Sequence, residues 1–482
     1  MANSVIRFGT DGWRAEIAKD FTFLNVAICA QAIAEYLRHT ETFHRGVVIG
    51  FDTRFASADF AKEVAEVLAG NGIKSFLSES AVPTPVISYA VVNREAAAGI
   101  VITASHNPGS WNGIKLKSQD GASASTDLVT QVETIVSKTQ PASILRKGLK
   151  EASCQNLIEL CSFEQPYLHR IEQLIDLNPI RKAGLNVAVD SMHGAGGGYF
   201  KNLIGDCSTT VTEIKRTANP SFPGMKQPEP IGQNLKELRQ LVCESKATIG
   251  LATDGDADRL GVIDEQGNYI TPLQVYTLLA FYFLEIRRER GAIVRTITST
   301  NMLNLLANKY QVPVIETPVG FKYIAPVMSA QNALIGGEES GGYGFRGHVP
   351  ERDGLLSGLY LLDLMARTKK PLSQLITDLN NNFGTHCYDR ADHSFLEENR
   401  SLIMERLKQT QPKTINDTLV LRKETIDGFR FIMEDNSWLL IRFSGTEPLL
   451  RIYAEGNSTQ QVQSLLAKGL SFTGIKEQNE PN

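Results

Sequence analysis

The sequence predicts an α/β protein of several domains, closed at its C-terminal end by a smaller α+β domain. Three observations lead there. The chain has 482 residues, a length that as a loose prior gives about three or four domains. Short apolar runs alternate with segments of helical periodicity, the succession that builds βαβ units. Several of those runs stop in polar, glycine-bearing loops, and open α/β sheets keep their ligand sites at such strand ends.

Composition sets the outer limits. Hydrophobic residues make up 42% and charged residues 21%, which is ordinary for a globular protein with an ample core. A net charge of −4 and a pI of about 6.1 argue against a nucleic-acid binder. Six cysteines, at 29, 154, 161, 207, 243 and 387, form no Cys-x-x-Cys pair, so reduced thiols in a cytoplasmic protein are the simplest account. Arg7 and Asp11 interrupt the N-terminus, so no signal peptide is expected. No stretch approaches the ~20 apolar residues of a membrane helix, so no membrane partner is expected.

The first loop is Phe8 to Arg14, with two glycines in a polar run; Arg14 could bind a phosphate, and a solvated turn is the competing reading. Val26, Ala30, Ile33, Ala34 and Leu37 recur at helical spacing. Val47-Val48-Ile49 reads as a buried strand, Ser57 as the cap of a helix ended by Asn71-Gly72, and Ile73 to Leu77 as the next strand. Gly99 to Ile102 is a strand running into Thr103-Ala104-Ser105-His106-Asn107-Pro108. A hydroxyl nucleophile needs a base and a balance for its developing charge, and His106 and Lys115 are residues of both types near Ser105. A polar turn is the competing reading.

Leu185 to Asp190 is a strand followed by a glycine run, Gly194 to Gly198. Tyr199 stands where a dinucleotide fingerprint needs Gly or Ala, so the run reads as a tight strand-to-helix turn. Thr248 to Ala252 leads into Asp254-Gly255-Asp256-Ala257-Asp258-Arg259. Three alternate carboxylates on a loop can converge on a hard cation. A helix–loop–helix calcium site is rejected, because Arg259 stands where that loop requires glycine and Leu260 to Ile263 reads as a strand before the hairpin turn Gln266-Gly267-Asn268.

Further strands are expected at Ile293 to Ile297, Val312 to Ile315 and Ala333 to Gly336, with helices from Met302 and near Phe321-Lys322. The strand at 333 enters Gly337-Glu338-Glu339-Ser340-Gly341-Gly342, whose carboxylates suit sugar hydroxyls. His348 and Arg352-Asp353-Gly354 follow, then a helix from Leu355 to Ala366. From about Gly384 the chain reads as α+β. There, Leu439 to Ile441 and Leu449 to Tyr453 flank Arg442-Phe443-Ser444-Gly445-Thr446-Glu447-Pro448, a loop whose hydroxyls, glycine and nearby arginines, Arg442 and Arg451, suit a phosphate.

Together these motifs resemble the α-D-phosphohexomutases, the phosphoglucomutase/phosphomannomutase family, in that family's order and over nearly the whole chain. The resemblance implies four domains around a central cleft, the first three α/β with mixed sheets. We place them at 1–150 with the phosphoserine loop, 151–265 with the metal loop, 266–380 with the sugar loop, and 381–482 with the phosphate loop. It implies that Ser105 is the phosphoserine and that Asp254, Asp256 and Asp258 hold Mg2+, with Ser105 itself touching the metal. His106, Lys115, Arg14 and Arg259 would surround the reacting oxygens. Lys322, Glu338, Ser340 and His348 would meet the sugar, and Arg442, Ser444, Gly445, Thr446 and Arg451 its resident phosphate.

The implied reaction interconverts glucose 1-phosphate and glucose 6-phosphate through glucose 1,6-bisphosphate, with mannose phosphates as further substrates. Small sugar phosphates are the expected partners, and the chain is expected to be a cytoplasmic monomer or weak homodimer. Gly342 stands where many bacterial dual-specificity members carry a histidine, and Lys322 resembles the phosphoglucomutase branch; both lean toward glucose. The same glycine removes one cationic contact, which opens a net glucose 1,6-bisphosphate synthase, fed by a donor such as fructose 1,6-bisphosphate, as an alternative. A metal-dependent sugar phosphatase and a non-catalytic sugar-phosphate sensor are more distant ones.

Overall fold

A computed structural model describes residues 6–9, 11–205, 207–444 and 448–475. The chain forms two compact units, one from Met1–Val294 with Gly320–Leu375, the other from Arg295–Val319 with Ile376–Asn482.

In the first unit, a six-stranded sheet has the order Trp13–Glu16, Trp111–Lys117, Ala98–Ile102, Val47–Phe51, Ser75–Ser78, Ile158–Cys161. The last four strands pair in parallel and the first two join antiparallel, so the sheet is mixed. Every residue of Ala98–Ile102 is buried, as a central strand covered on both faces requires. Helix Phe23–His39 buries Val26, Ala30, Ile33, Ala34 and Leu37, the residues whose spacing marked it. Two expectations are corrected here. Ser57 is not a cap: the N-cap is Ala56, in a left-handed conformation, and the Ser57 hydroxyl donates to Asp52 at 2.8 Å. The first sheet also runs past residue 150, because Ile158–Cys161 pairs with Ser75–Ser78.

A second, five-stranded sheet has the order Tyr269–Ile270, Leu260–Ile263, Ile249–Thr253, Asn186–Asp190, Thr210–Ile214 and is again mixed. The glycine run after Asp190 is the expected turn into helix Tyr199–Ile204. Hairpin Ile335–Gly337 and Tyr343–Phe345 follows later in the chain. Beside it runs helix Gly354–Thr368, buried from Gly354 to Met365 and capped by the Asp353 carboxylate on the Leu356 amide.

The second unit contains a six-stranded sheet in the order Cys387–Ser394, Leu449–Gly456, Trp438–Phe443, Phe429–Met433, Thr418–Glu424, Thr414–Ile415, with each neighbouring pair antiparallel. Side-chain alternation gives it two apolar faces. Leu439, Ile441 and Ile452 pack with Leu465, Leu466 and Leu470 of helix Thr459–Thr473, while Trp438, Leu440 and Tyr453 cluster with Ile297. Residues 295–319, which carry Ile297, therefore belong to the C-terminal unit, and the domain expected at 266–380 is divided between the two units. Among the described residues, no helix is long and apolar enough to cross a membrane.

Candidate active site

Strand Ala98–Ile102 ends at a loop on which Ser105 takes φ +51°, a left-handed conformation that costs a non-glycine residue about 1–3 kcal/mol. Buried groups hold it there. The Ser105 amide donates to Thr103 Oγ1 at 2.8 Å, and Thr103 donates to Asp52 at 2.6 Å. Arg54, paired with Asp52, donates to the carbonyls of Ser105 and Asn107 at 2.6 Å each, of Pro108 at 2.8 Å and of Trp111 at 3.0 Å. The loop is thus wrapped around one guanidinium.

The Ser105 hydroxyl donates to Asp254 Oδ2 at 2.8 Å and lies 3.4 Å from His106 Nδ1. Burial, with Arg259, Arg14 and Lys115 nearby, holds His106 well below the usual imidazole range, so it is neutral. Arg14 donates to the Asn107 side chain at 2.9 Å, which places it on the same loop.

The metal loop packs directly on this one. A Cβ at Gly255 would lie 2.5 Å from the Ser105 carbonyl oxygen, so the two backbones meet where only glycine leaves room. The Ala195 amide bonds the Gly255 carbonyl at 2.9 Å, so the glycine run after Asp190 braces the metal loop. Asp254 Oδ1 accepts from the amides of Asp258 and Arg259, leaving Oδ2 for Ser105. The Oδ2 atoms of Asp256 and Asp258 each lie 2.8 Å from the buried Lys115 ammonium, which also pairs with Asp11 at 2.8 Å. Their Oδ1 atoms are buried and accept no hydrogen bond among the described residues. Ligand oxygens of the three aspartates lie within 4.8 Å of one another. Two buried carboxylate oxygens without hydrogen-bond partners among the described residues, beside a third on the serine hydroxyl, fit a hard divalent cation.

Burial, with Asp256 and Asp258 adjacent, pushes the Asp254 carboxyl well up, the repulsion that a bound cation relieves. Burial alone would lower Lys115, but Asp11, Asp256 and Asp258 outweigh it and hold the ammonium protonated. Asp256 stays ionised because Lys115 and the Thr84 hydroxyl, 2.5 Å away, outweigh its burial. Arg259 turns to Glu229 at 3.1 Å.

The loop 337–342, expected to meet the sugar, joins the aspartate loop through the backbone: the Leu260 amide donates to the Gly341 carbonyl at 2.9 Å. Glu338 is buried, which raises its carboxyl to about 7, with Arg352 opposing. Ser340 Oγ is buried without a hydrogen-bond partner among the described residues, as a hydroxyl awaiting a ligand would be. Lys322 is the second residue of helix Phe321–Gln331, with its ammonium 5.3 Å from the Tyr323 ring centre. His348 is placed differently from the expected sugar contact. Its Nε2 lies 3.2 Å from Asp353, whose carboxylate also accepts from Tyr167 and caps the following helix, so the ring supports the loop from behind.

In the second unit, Arg442 and Arg451 stand directly opposite in the strand register. Like charges placed so repel unless anions neutralise them. Asp427 binds Arg442 at 2.8 Å, and Asp392 lies 3.9 Å from Arg451. The Ser444 amide donates to the Leu449 carbonyl at 2.8 Å; Gly445 and Thr446 lie outside the described residues.

Sequence reasoning missed Asp11, Asp52, Arg54, Thr84, Glu351 and Arg352 as parts of this framework. Asp52-Thr53-Arg54 carried a readable signal, a charged pair directly after an apolar strand; the partners of the others lie too far along the chain to be seen.

Models of the phosphoglucomutase/phosphomannomutase family match four segments: α/β/α domain I over residues 5–143, domain II over 165–267, domain III over 271–383, and the C-terminal domain over 403–468. A phosphoglucomutase/phosphomannomutase of Thermococcus kodakarensis is 30% identical over 96% of this chain and 98% of its own. The phosphoglucosamine/phosphogalactosamine mutase of Sulfurisphaera tokodaii is 29% identical over 95% of this chain and 97% of its own. A crystal structure from Thermus thermophilus, assigned to phosphomannomutase, superposes with a TM-score of 0.84 at 32% identity, covering 98% of this chain and 100% of that one. A strand-end loop carrying Ser105, an aspartate cluster and a loop carrying Glu338 in one unit, with these matches along the chain, lead to one conclusion: the chain belongs to the phosphoglucomutase/phosphomannomutase family of α-D-phosphohexomutases, isomerases that work by phosphoryl transfer.

Proposed function

We propose that this phosphohexomutase interconverts glucose 1-phosphate and glucose 6-phosphate, with Ser105 as the phosphoryl carrier. The observation that carries the reading is the Ser105 hydroxyl on Asp254 Oδ2 at 2.8 Å, beside Asp256 and Asp258 oxygens that accept no hydrogen bond among the described residues. These three aspartates would hold Mg2+, which when bound supplies positive charge to the phosphoryl oxygens. The P–Oγ bond of phosphoserine breaks as a P–O bond to a free sugar hydroxyl forms. That hydroxyl's proton passes to neutral His106, which lies 3.4 Å from Ser105 Oγ and hands a proton on to the serine oxygen that the phosphoryl group leaves, restoring the hydroxyl. Lys115 remains a cation throughout and balances the charge in transfer. The glucose 1,6-bisphosphate so formed turns, and its other phosphoryl group returns to Ser105. Glu338 and Ser340 take sugar hydroxyls, and the Arg442–Ser444 loop takes the phosphate that is not in transfer. Gly342 and Lys322 support glucose as the preferred sugar; added glucose 1,6-bisphosphate would serve as activator by recharging the serine.

Two measurements test this. Intact-mass analysis of the active protein shows one added phosphoryl group, absent from Ser105→Ala, which folds and loses most turnover; full activity in that variant overturns the role of Ser105. Glucose, mannose and glucosamine phosphates assayed side by side give the highest kcat/KM with glucose; a higher value for either other sugar overturns the substrate assignment.

A further inference from the structure

Arg352 fills the space that a side chain at Gly342 would need. A Cβ on Gly342 would lie 2.3 Å from Arg352 Cδ and 2.8 Å from its Cγ. Any side chain at 342 would therefore expel Arg352 from its present position. With glycine there, the Arg352 stem lies over the sugar loop and its guanidinium, 5.6 Å from the Phe321 ring centre, is buried.

That guanidinium meets four carboxylates. Nη1 lies 3.3 Å from Glu338 on the sugar loop, and Nη2 lies 2.8 Å from Asp258 Oδ2 on the metal loop. Nη2 also donates to Asp11, and Nε lies 3.3 Å from Glu351. Glu351 is fixed in turn by Lys117 and by the Ser123 hydroxyl at 2.8 Å. A planar fork of five donors can serve two loops at once, whereas an ammonium on a flexible stem cannot hold the same divergent set. The cation that Gly342 removes from the sugar loop is thus supplied by Arg352, and the glycine gives no ground for weaker retention of a bisphosphate.

We propose that Arg352 is a positioning residue that couples the two loops, so that cation binding on Asp258 and sugar binding on Glu338 strengthen one another. The inference rests on the reading of Glu338 as a sugar ligand. Each carboxylate offers one oxygen to Arg352. A cation drawing on Asp258 loosens that bond and lets the guanidinium turn to Glu338, ordering it as an ionised acceptor for sugar hydroxyls. Reciprocity requires that the sugar raise the affinity for the cation by the same factor.

Calorimetric titration of Mg2+ with and without saturating xylose 1-phosphate, which lacks the hydroxymethyl group that would receive the phosphoryl, reads this factor directly. The native protein is expected to bind Mg2+ at least about fivefold more tightly with the sugar phosphate present, the lower range of such couplings. Arg352→Lys keeps the charge; it should still bind Mg2+ alone, yet its coupling should fall to about one. Gly342→Ala, which leaves Arg352 intact but displaces it, should lower the coupling in the same direction and serves if Arg352→Lys fails to fold. Native coupling retained in either folded variant, or a native factor of one, overturns the inference. Failure of the native protein to bind xylose 1-phosphate at all overturns the sugar-phosphate reading itself and the coupling with it.

Discussion

The carbonyl oxygen of Ser105 accepts a 2.6 Å hydrogen bond from Arg54. The same guanidinium serves three further loop carbonyls and pairs with Asp52, both side chains of that pair being out of solvent. Arg54→Ala would leave Asp52 buried without its ion-pair partner, at a cost of about 3–5 kcal/mol. Urea denaturation should show that loss, and the variant at low temperature should take up less phosphoryl on Ser105 than the native protein. An unchanged denaturation midpoint would contradict the account.

Mg2+ should stabilise the fold by relieving the repulsion around Asp254. At about 100 times its dissociation constant it contributes about 2.7 kcal/mol, visible as a rise in Tm. Chelation should remove that rise and all turnover, and Asp256→Asn should abolish most of the metal-dependent shift. A Tm indifferent to Mg2+ in the native protein would count against a cation at this site.

Arg430 grips Glu316 through two hydrogen bonds of 2.5 Å, tying the 295–319 segment to the C-terminal sheet. Glu424 pairs with the same guanidinium. Arg430→Ala should destabilise the C-terminal unit by about 3 kcal/mol, the low end for breaking a buried pair, because Glu316 keeps some contact with water. Hydrogen exchange should locate the loss in Val314–Thr317 and Phe429–Met433.

His386 gives the C-terminal unit a pH dependence. Burial disfavours its charge, but the bond to Glu455 at 2.8 Å outweighs that and raises the imidazole above 6.5. The folded state therefore binds this proton more tightly than the unfolded one. The contribution is fully present below pH 6.5 and is lost as the pH rises through the raised folded value. His386→Gln should flatten the fall in Tm across that window; an unaltered profile would show that another group is responsible.

Much of the site was legible because its residues are local. Asp254, Asp256 and Asp258 alternate on one loop between two recognisable strands, and Ser105 follows an unbroken apolar run. The hairpin turn at Gly267, with φ +85°, was written in Gln266-Gly267-Asn268. What could not be read was pairing across the chain. Arg352 reaches Asp11 from 341 residues away, and Lys117 reaches Glu351 from 234. Nothing in the spacing of isolated charges reveals such partners. Nor does local periodicity show that 295–319 joins the C-terminal unit, since Ile297 only becomes half of an apolar contact when Trp438 and Tyr453 are in place.

That last arrangement bears on how the protein is made. A ribosome releases residues 295–319 well before the sheet that covers Ile297 has been synthesised, and residues 320–375, which belong to the first unit, emerge in between. Ile297 must wait for that cover while the earlier unit completes itself. A nascent chain stalled after residue 375 would have every charged group of the metal and sugar loops in hand, and still present Ile297 and Val319 as bait for chaperones.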